Sequence, residues 1–107
     1  MQKLLGKIES AEFGTIPDHP HLLGLQLEFS GPSWHVGDGG KFSVNVSSSC
    51  KWEKSERDEA LTKLVDTVNE ILKQAKAHKV SELVKKPVEV TIEDGMFKDF
   101  RILTEVL

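Results

Sequence analysis

Residues 55–75, SERDEALTKLVDTVNEILKQA, carry the clearest structural pattern in this 107-residue chain. Ser55 is predicted to be the N-cap of a helix, because acidic residues fill the first turn and lysines follow near the far end. The apolar side chains recur every three or four residues, as in an amphipathic helix, at Leu61, Leu64, Val65, Val68, Ile71, Leu72 and Ala75. The pattern therefore predicts one long helix with a single apolar face.

The chain after this helix has the pattern of a strand hairpin. Ser81 is predicted to cap one further helical turn before Pro87. Residues 88–93, VEVTIE, alternate apolar and polar side chains, which indicates a half-buried strand. Asp94-Gly95 is a hairpin signal, so residues 96–106 are expected to return as an antiparallel strand.

Two further strands are predicted near the start of the chain. Residues 3–13 and 22–29 are expected to pair as a hairpin across a loop at 14–21, where Pro17 and Pro20 remove backbone donors. Residues 30–40 contain four of the eight glycines and are expected to form a loop, and residues 42–46 a short strand. The predicted fold is a single α+β domain spanning residues 1–107, with an antiparallel sheet of about five strands and one long helix packed on it.

The composition is that of a folded protein without strong positive charge. Hydrophobic residues are 38% and charged residues 29% of the chain, and the formal net charge is −3. A general nucleic-acid coat or a membrane-surface peptide depends on a positive field, so both classes are disfavoured. No run is apolar enough for a membrane span or a signal peptide, and one cysteine excludes an internal disulfide, so we expect a cytoplasmic protein.

Metal and catalytic sites have weak support. His19 and His21 are spaced to share a metal on one side of an extended segment, but no spacing selects a third ligand. A solvated loop is the favoured interpretation. Cys50 lacks an obvious catalytic partner, and the serines before it lack a nucleophile-elbow pattern. The sequence predicts no catalytic residue, no metal site and no cofactor.

Flat side chains gather around the glycine-rich stretch. Trp34, His35, Phe42 and Trp52 lie within twenty residues of one another. Such rings sandwich nucleotide bases, although tryptophans also close the ends of small cores, and the two interpretations are about even. Asp38, within Gly37-Asp38-Gly39-Gly40, is a candidate acceptor for ribose hydroxyls, and the alternative for this segment is a plain hairpin turn.

Arginine is rare in this chain. Arg57 and Arg101 are the two arginines among fourteen basic residues. The guanidinium group suits bidentate binding of phosphate, and Arg57 also lies in the first helical turn, where free N–H groups favour anions. A surface ion pair with a nearby acid is the alternative for either residue. We expect both to line one aromatic-walled cleft, completed by a second copy of the chain.

Four stretches resemble a family of small phage and prophage proteins. They are GKIESAEFG (6–14), WHVGDGG (34–40), CKWEKSERDEAL (50–61) and KPVEVTIEDGMFKDFRILTEVL (86–107). The family is that of the Thoeris anti-defence proteins of the first described type. These proteins bind cyclic ADP-ribose isomers, which bacterial TIR-domain proteins make as signals, without cleaving them. They assemble as dimers or larger oligomers, and some also hold cyclic oligonucleotides.

The resemblance implies a non-catalytic protein that sequesters a nucleotide-derived signal, with a pocket at a subunit interface. It makes Arg57 and Arg101 candidates for the pyrophosphate, and Trp34, Phe42, Trp52 and Phe100 candidates for the base. Long nucleic acids and membranes are not expected partners. Two alternatives remain: a protein-interaction module that inhibits a host enzyme, and a small nucleotide hydrolase that uses His35 and Asp38.

Overall fold

The computed structural model describes residues 1–47 and 53–107. Within these residues one antiparallel sheet and one long helix form, which confirms the predicted α+β class. The elements, in chain order, are β1 (Gln2–Ile16), β2 (His19–Ser30), β3 (His35–Gly37), β4 (Ser43–Asn45), α1 (Lys54–Gln74), a 3-10 helix (Val80–Leu83), β5 (Pro87–Glu93), β6 (Met96–Ile102) and a second 3-10 helix (Thr104–Val106).

β1 is the central strand of the sheet. Residues 2–7 pair with β5 and residues 7–16 with β2, and the β1–β2 pairing contains a register shift between Ile8 and Ser10. The predicted hairpin of the first two strands is confirmed. The predicted loop at residues 14–21 is wrong, because β1 continues to Ile16 and β2 begins at His19. Cross-strand pairing of Ile16 with His19 leaves only Pro17 and Asp18 for the turn.

Two short strands share the outer edge of β2. β3 pairs with the end of β2, although its sequence was expected to be a loop, and β4 pairs with the start of β2. β4 confirms the short strand expected at residues 42–46. The order across the sheet is β3-β2-β1-β5-β6, with β4 beside β3 on β2.

The helix α1 follows the predicted period. Leu64 and Ile71 are buried, and Ala75, just past its end, is fully buried in the core. Val65 departs from the prediction and is 66% exposed, because it lies at the margin of the apolar face. The predicted cap at Ser55 is wrong: the N-cap is Glu53, whose backbone is extended and whose side chain makes no capping hydrogen bond. Among the described residues no helix is both long enough and apolar enough to cross a membrane.

The chain after α1 differs in detail from the prediction. The 3-10 helix Val80–Leu83 is capped at Lys79, whose backbone N–H donates to the Glu82 carboxylate at 2.8 Å, so Ser81 is not its cap. β5 and β6 form the expected hairpin around Asp94 and Gly95. β6 ends at Ile102, because the last residues turn into a 3-10 helix instead of continuing the strand.

The sheet curls until its two edges meet. Neighbouring strands lie about 4.8 Å apart, so β4 and β6 would be roughly 19 Å apart in a flat sheet. Instead the Phe42 ring, next to β4, lies 5.9 Å from the Phe100 ring on β6, and the Lys41 ammonium donates to the Lys98 carbonyl. The result is a partly open barrel, an architecture class that includes the OB-fold. Its interior contains the side chains of Ile8, Leu25, Leu27, Phe29, Val88, Val90 and Ile102, which α1 covers with Ile71.

Candidate functional site

The curled sheet and the middle of α1 line an open pocket of about 450 Å³. Residues 41–44 and Asp99 of β6 form its sheet side. The helix side consists of Ala60, Lys63, Leu64 and Thr67. We call this cavity the α1–β4 pocket. Its volume lies within the range of roughly 300–1,000 Å³ that is usual for small-molecule sites.

Two ammonium groups and one aromatic ring give the α1–β4 pocket its chemical character. The Nζ atom of Lys41 lies 6.0 Å from the centre of the Phe42 ring and 5.8 Å from that of Phe97. It also lies 3.6 Å from an Asp99 carboxylate oxygen. In the part of the chain that the structure describes, Lys63 forms no ion pair. One fixed cation and one cation without an ion pair therefore line the same cavity.

Hydroxyl groups supply the remaining polar contacts. The Ser43 hydroxyl donates to the Gly40 carbonyl at 2.6 Å, which fixes its position and leaves its oxygen able to accept a hydrogen bond. Thr67 lies on α1 four residues after Lys63, so both point to the same side of the helix.

Arg57 lies beside the α1–β4 pocket. Residues 57, 60, 64 and 67 recur at helical spacing, which puts Arg57 on the helix face that lines the cavity. Its guanidinium approaches the Val46 carbonyl, just past β4, at 3.5 Å. Of the two arginines considered in the sequence, Arg57 is the one near this pocket.

Arg101 lies on the other face of the sheet. Its neighbours Phe100 and Ile102 both contribute to the core, so alternation along β6 directs Arg101 outward, away from α1. There it pairs with Glu89 and Glu105, each at 3.3 Å. The two arginines therefore do not meet within one chain, and a clamp containing both would have to be built from two copies.

The electrostatics of Arg101 agree with this ion-pair role. The Glu89 carboxylate, which accepts a hydrogen bond from Arg101, raises the pKa of the guanidinium, and Glu105 adds to the effect. The pKa of the Glu105 carboxyl is lowered, first by a hydrogen bond from its own backbone N–H and then by Arg101. This guanidinium is already occupied by two carboxylates.

Four phenylalanines form a cluster at the closure of the barrel. The Phe29 ring lies 5.3 Å from Phe97 and 4.9 Å from Phe100. Phe42 meets Phe97 and Phe100 edge to face at 6.4 and 5.9 Å. The structure thus brings together two of the predicted aromatic residues, Phe42 and Phe100, and places Phe42 in the wall of the α1–β4 pocket.

Trp34 and His35 lie outside the lining of the α1–β4 pocket. Trp34 packs on the core against Gly6 and Gly31; a side-chain carbon added at Gly6 would come within 2.6 Å of the indole. His35 faces outward from β3, where its ring nitrogen lies 3.1 Å from the Glu28 carboxylate. Trp52, a further candidate, lies outside the described residues. The structure therefore gives Trp34 the core-closing role that was its alternative interpretation.

Asp38 is buried and bound to the backbone. One carboxylate oxygen accepts the N–H of Leu27 and the other that of Gly40, both at 2.9 Å. The group is 8% exposed and holds the β3–β4 connection against β2. It therefore does not face a cavity where it would bind ribose.

His19 and His21 lie close together, without a third metal ligand among the described residues. The rings of His19 and His21 lie 5.9 Å apart, edge to face. Across residues 1–47 and 53–107, no group of three histidine, cysteine, aspartate or glutamate side chains gathers in a geometry suited to a metal ion. Cys50 lies outside these residues.

The outer face of the barrel is unlike a single-strand binding surface. In OB-folds, oligonucleotides bind across the second and third strands, where aromatic rings stack on bases. The side chains that β2 and β3 direct outward include Gln26, Glu28, Ser30 and His35, and Glu28 adds negative charge there. The negative charge of Glu28 disfavours a polyanion at this part of the described surface.

The sequence analysis missed Lys41, Lys63 and Asp99. The sequence analysis selected arginine as the residue that binds phosphate and named neither a lysine nor Asp99 as a candidate. The one available signal was the helical spacing of Lys63 and Thr67 beside the apolar residues Ala60 and Leu64.

Comparison of the sequence with protein-family models and curated proteins, and of the fold with solved structures, finds no match.

Proposed function

We propose that this protein binds a small nucleotide-derived ligand in the α1–β4 pocket and does not cleave it. The observation that carries the proposal is the combination of the Phe42 ring with the Lys41 and Lys63 ammonium groups around one cavity of about 450 Å³. Nucleotides combine a flat base with anionic phosphates, so this lining is complementary to both parts of such a molecule.

Each group has a distinct role in the proposal. The base stacks on Phe42, an interaction of roughly 1–3 kcal/mol. Lys41 and Lys63 bind the phosphates as point charges, with Arg57 close enough on the same helix face to join them. Ser43 and Thr67 bind ribose or phosphate oxygens.

The proposal of a non-catalytic protein is supported by the places of His35 and Asp38. The hydrolase alternative needs these two side chains to act on one substrate. Instead, His35 is exposed beside Glu28, and both oxygens of Asp38 accept backbone N–H groups. The geometry gives this alternative no support.

The resemblance to Thoeris anti-defence proteins indicates the ligand class to test first. We propose a cyclic ADP-ribose isomer, sequestered in the cytoplasm of the cell in which the protein is made. The α1–β4 pocket is open on one side, and a second copy of the chain would exclude water from it.

Calorimetry with adenosine, ADP, cyclic ADP-ribose and inorganic pyrophosphate tests the proposal. We expect Lys63→Gln to weaken the phosphate-containing ligands about three- to tenfold, because it removes a charge-assisted contact. Lys73→Gln is the matched control: it lies ten residues further along α1, about 15 Å away, and should leave affinity unchanged. Mass spectrometry of the recovered ligand should show it unaltered.

Three results would overturn the proposal: no binding of any of these ligands, equal effects of Lys63→Gln and Lys73→Gln, or recovery of a cleaved ligand. A stable complex captured with a host enzyme, together with no nucleotide binding, would support the protein-interaction alternative instead.

A further inference from the structure

The α1–β4 pocket contains a carboxylate as well as its two ammonium groups. Asp99 lines the cavity and lies 3.6 Å from the Lys41 ammonium. A carboxylate at an anion site competes with the ligand for the cation and repels the ligand directly. Asp99 is therefore the one lining group, among the described residues, that acts against the binding proposed above.

Contacts from three residues position the Lys41 ammonium, whereas Asp99 has one further hydrogen bond besides its ion pair with Lys41. The Lys41 ammonium donates to the Lys98 carbonyl across the meeting edges of the sheet and lies close to the Phe42 and Phe97 rings. These contacts keep the Lys41 ammonium within reach of the Asp99 carboxylate. The Asp99 side chain is 65% exposed, and its Oδ1 accepts the Phe100 N–H at 2.8 Å. Its carboxylate turns into solvent once that hydrogen bond is exchanged for water.

We propose that Asp99 occupies Lys41 in the empty protein and sets the charge selectivity of the α1–β4 pocket; this inference rests on the proposed function. An incoming phosphate replaces the Asp99 carboxylate as the partner of Lys41. The bound phosphate then lies close to the displaced carboxylate, which repels it. The repulsion grows with the negative charge of the ligand. Asp99 therefore disfavours ligands with terminal phosphates, such as nucleoside triphosphates, more than pyrophosphate diesters, whose phosphates each carry a single charge.

The test compares inorganic pyrophosphate with ADP-ribose, a pyrophosphate diester, in the full chain. Asp99→Asn removes the charge and keeps an oxygen that accepts the Phe100 N–H, as Asp99 does at 2.8 Å. An exposed ion pair of this kind is weak, so the expected gains are about fivefold for pyrophosphate and about twofold or less for ADP-ribose. Asp94→Asn, at the exposed turn of the same hairpin and outside the pocket lining, is the matched control and should change neither affinity.

The outcomes distinguish failure of this inference from failure of the proposed nucleotide binding. If the unmodified protein binds both probes and Asp99→Asn leaves both affinities unchanged, weakens them or raises them equally, the inference is wrong and the proposed function stands. If Asp94→Asn reproduces the gain, overall charge is the cause and the inference is again wrong. If no variant binds either probe at millimolar concentration, both fail.

Discussion

Asp38 shows what one buried carboxylate does for the candidate site. Its two oxygens accept the backbone N–H groups of Leu27 and Gly40, so a single side chain joins β2 to the connection between β3 and β4. Its own N–H donates to the Leu27 carbonyl at 3.1 Å. Lys41 and Phe42 follow directly, and their position therefore depends on this anchor.

Asp38→Ala should destabilise the protein by about 2–4 kcal/mol, because it leaves two backbone donors without their acceptor. Urea unfolding at neutral pH measures this loss. Asp66→Ala, which removes an exposed carboxylate from the middle of α1, is the control and should stay within about 0.5 kcal/mol of the parent protein. Equal stability of the two variants would show that Asp38 does not anchor the connection.

The contrast between Arg57 and Arg101 shows where residue-level prediction stops. The rarity of arginine drew attention to Arg57, which lies beside the α1–β4 pocket. Arg101 is occupied by Glu89, its direct cross-strand neighbour in the β5–β6 pairing. That register depends on where the hairpin pairs and bulges, so Glu89 could not be predicted from the residues near Arg101 in sequence, whereas Glu105, four residues further on, is one of the nearby acids that the sequence offered.

At the scale of elements, local sequence patterns predicted the elements that interactions between nearby residues stabilise. The helix, the Asp94-Gly95 hairpin and the alternation of β5 follow from spacing alone. The extended ends of β1 and β2 and the existence of β3 depend on pairing between strands. His19 and His35 belong to strands because Ile16 and Ser30 pair with them, although the segments around them contain prolines and glycines that favour loops.

Gly24 controls how closely β4 approaches β2. A methyl group at Gly24 would lie 2.0 Å from the Phe42 carbonyl oxygen, so β4 would have to move away. Gly24→Ala should therefore cost about 1–3 kcal/mol of stability and weaken ligand binding by displacing Phe42. Thermal unfolding and calorimetry measure the two effects.

Gly14 offers the matched control for Gly24. It is the cross-strand partner of Gly24 in the β1–β2 pairing, and a methyl group there meets nothing within 4 Å. Gly14→Ala should be neutral or stabilise the strand by about 0.5–1 kcal/mol. If both variants behave alike, close approach of β4 is not the reason for glycine at position 24.

At the scale of the whole molecule, the candidate site exists because the sheet curls. Lys41 and Phe42 lie at one edge of the sheet and Asp99 at the other, and only closure of the barrel brings them to one cavity. Periodicity predicts which face of each strand is apolar but not how far the sheet bends. The sequence therefore predicted Phe42 as a candidate and gave no sign that Asp99 would join it.

Closure of the barrel predicts an energetic coupling between its two edges. Phe42 and Phe100 lie on opposite edges of the sheet, yet their rings meet edge to face at 5.9 Å. A double-mutant cycle of Phe42→Ala and Phe100→Ala in urea unfolding should give a coupling of about 0.5–1.5 kcal/mol, the usual strength of such ring pairs. Phe13 is 51% exposed on the β1–β2 hairpin, so Phe13→Ala combined with Phe100→Ala should be additive within about 0.5 kcal/mol. Additivity of Phe42→Ala and Phe100→Ala as well would mean that the edges stay apart in solution, and the α1–β4 pocket would then lose the Asp99 carboxylate that gives it its charge selectivity.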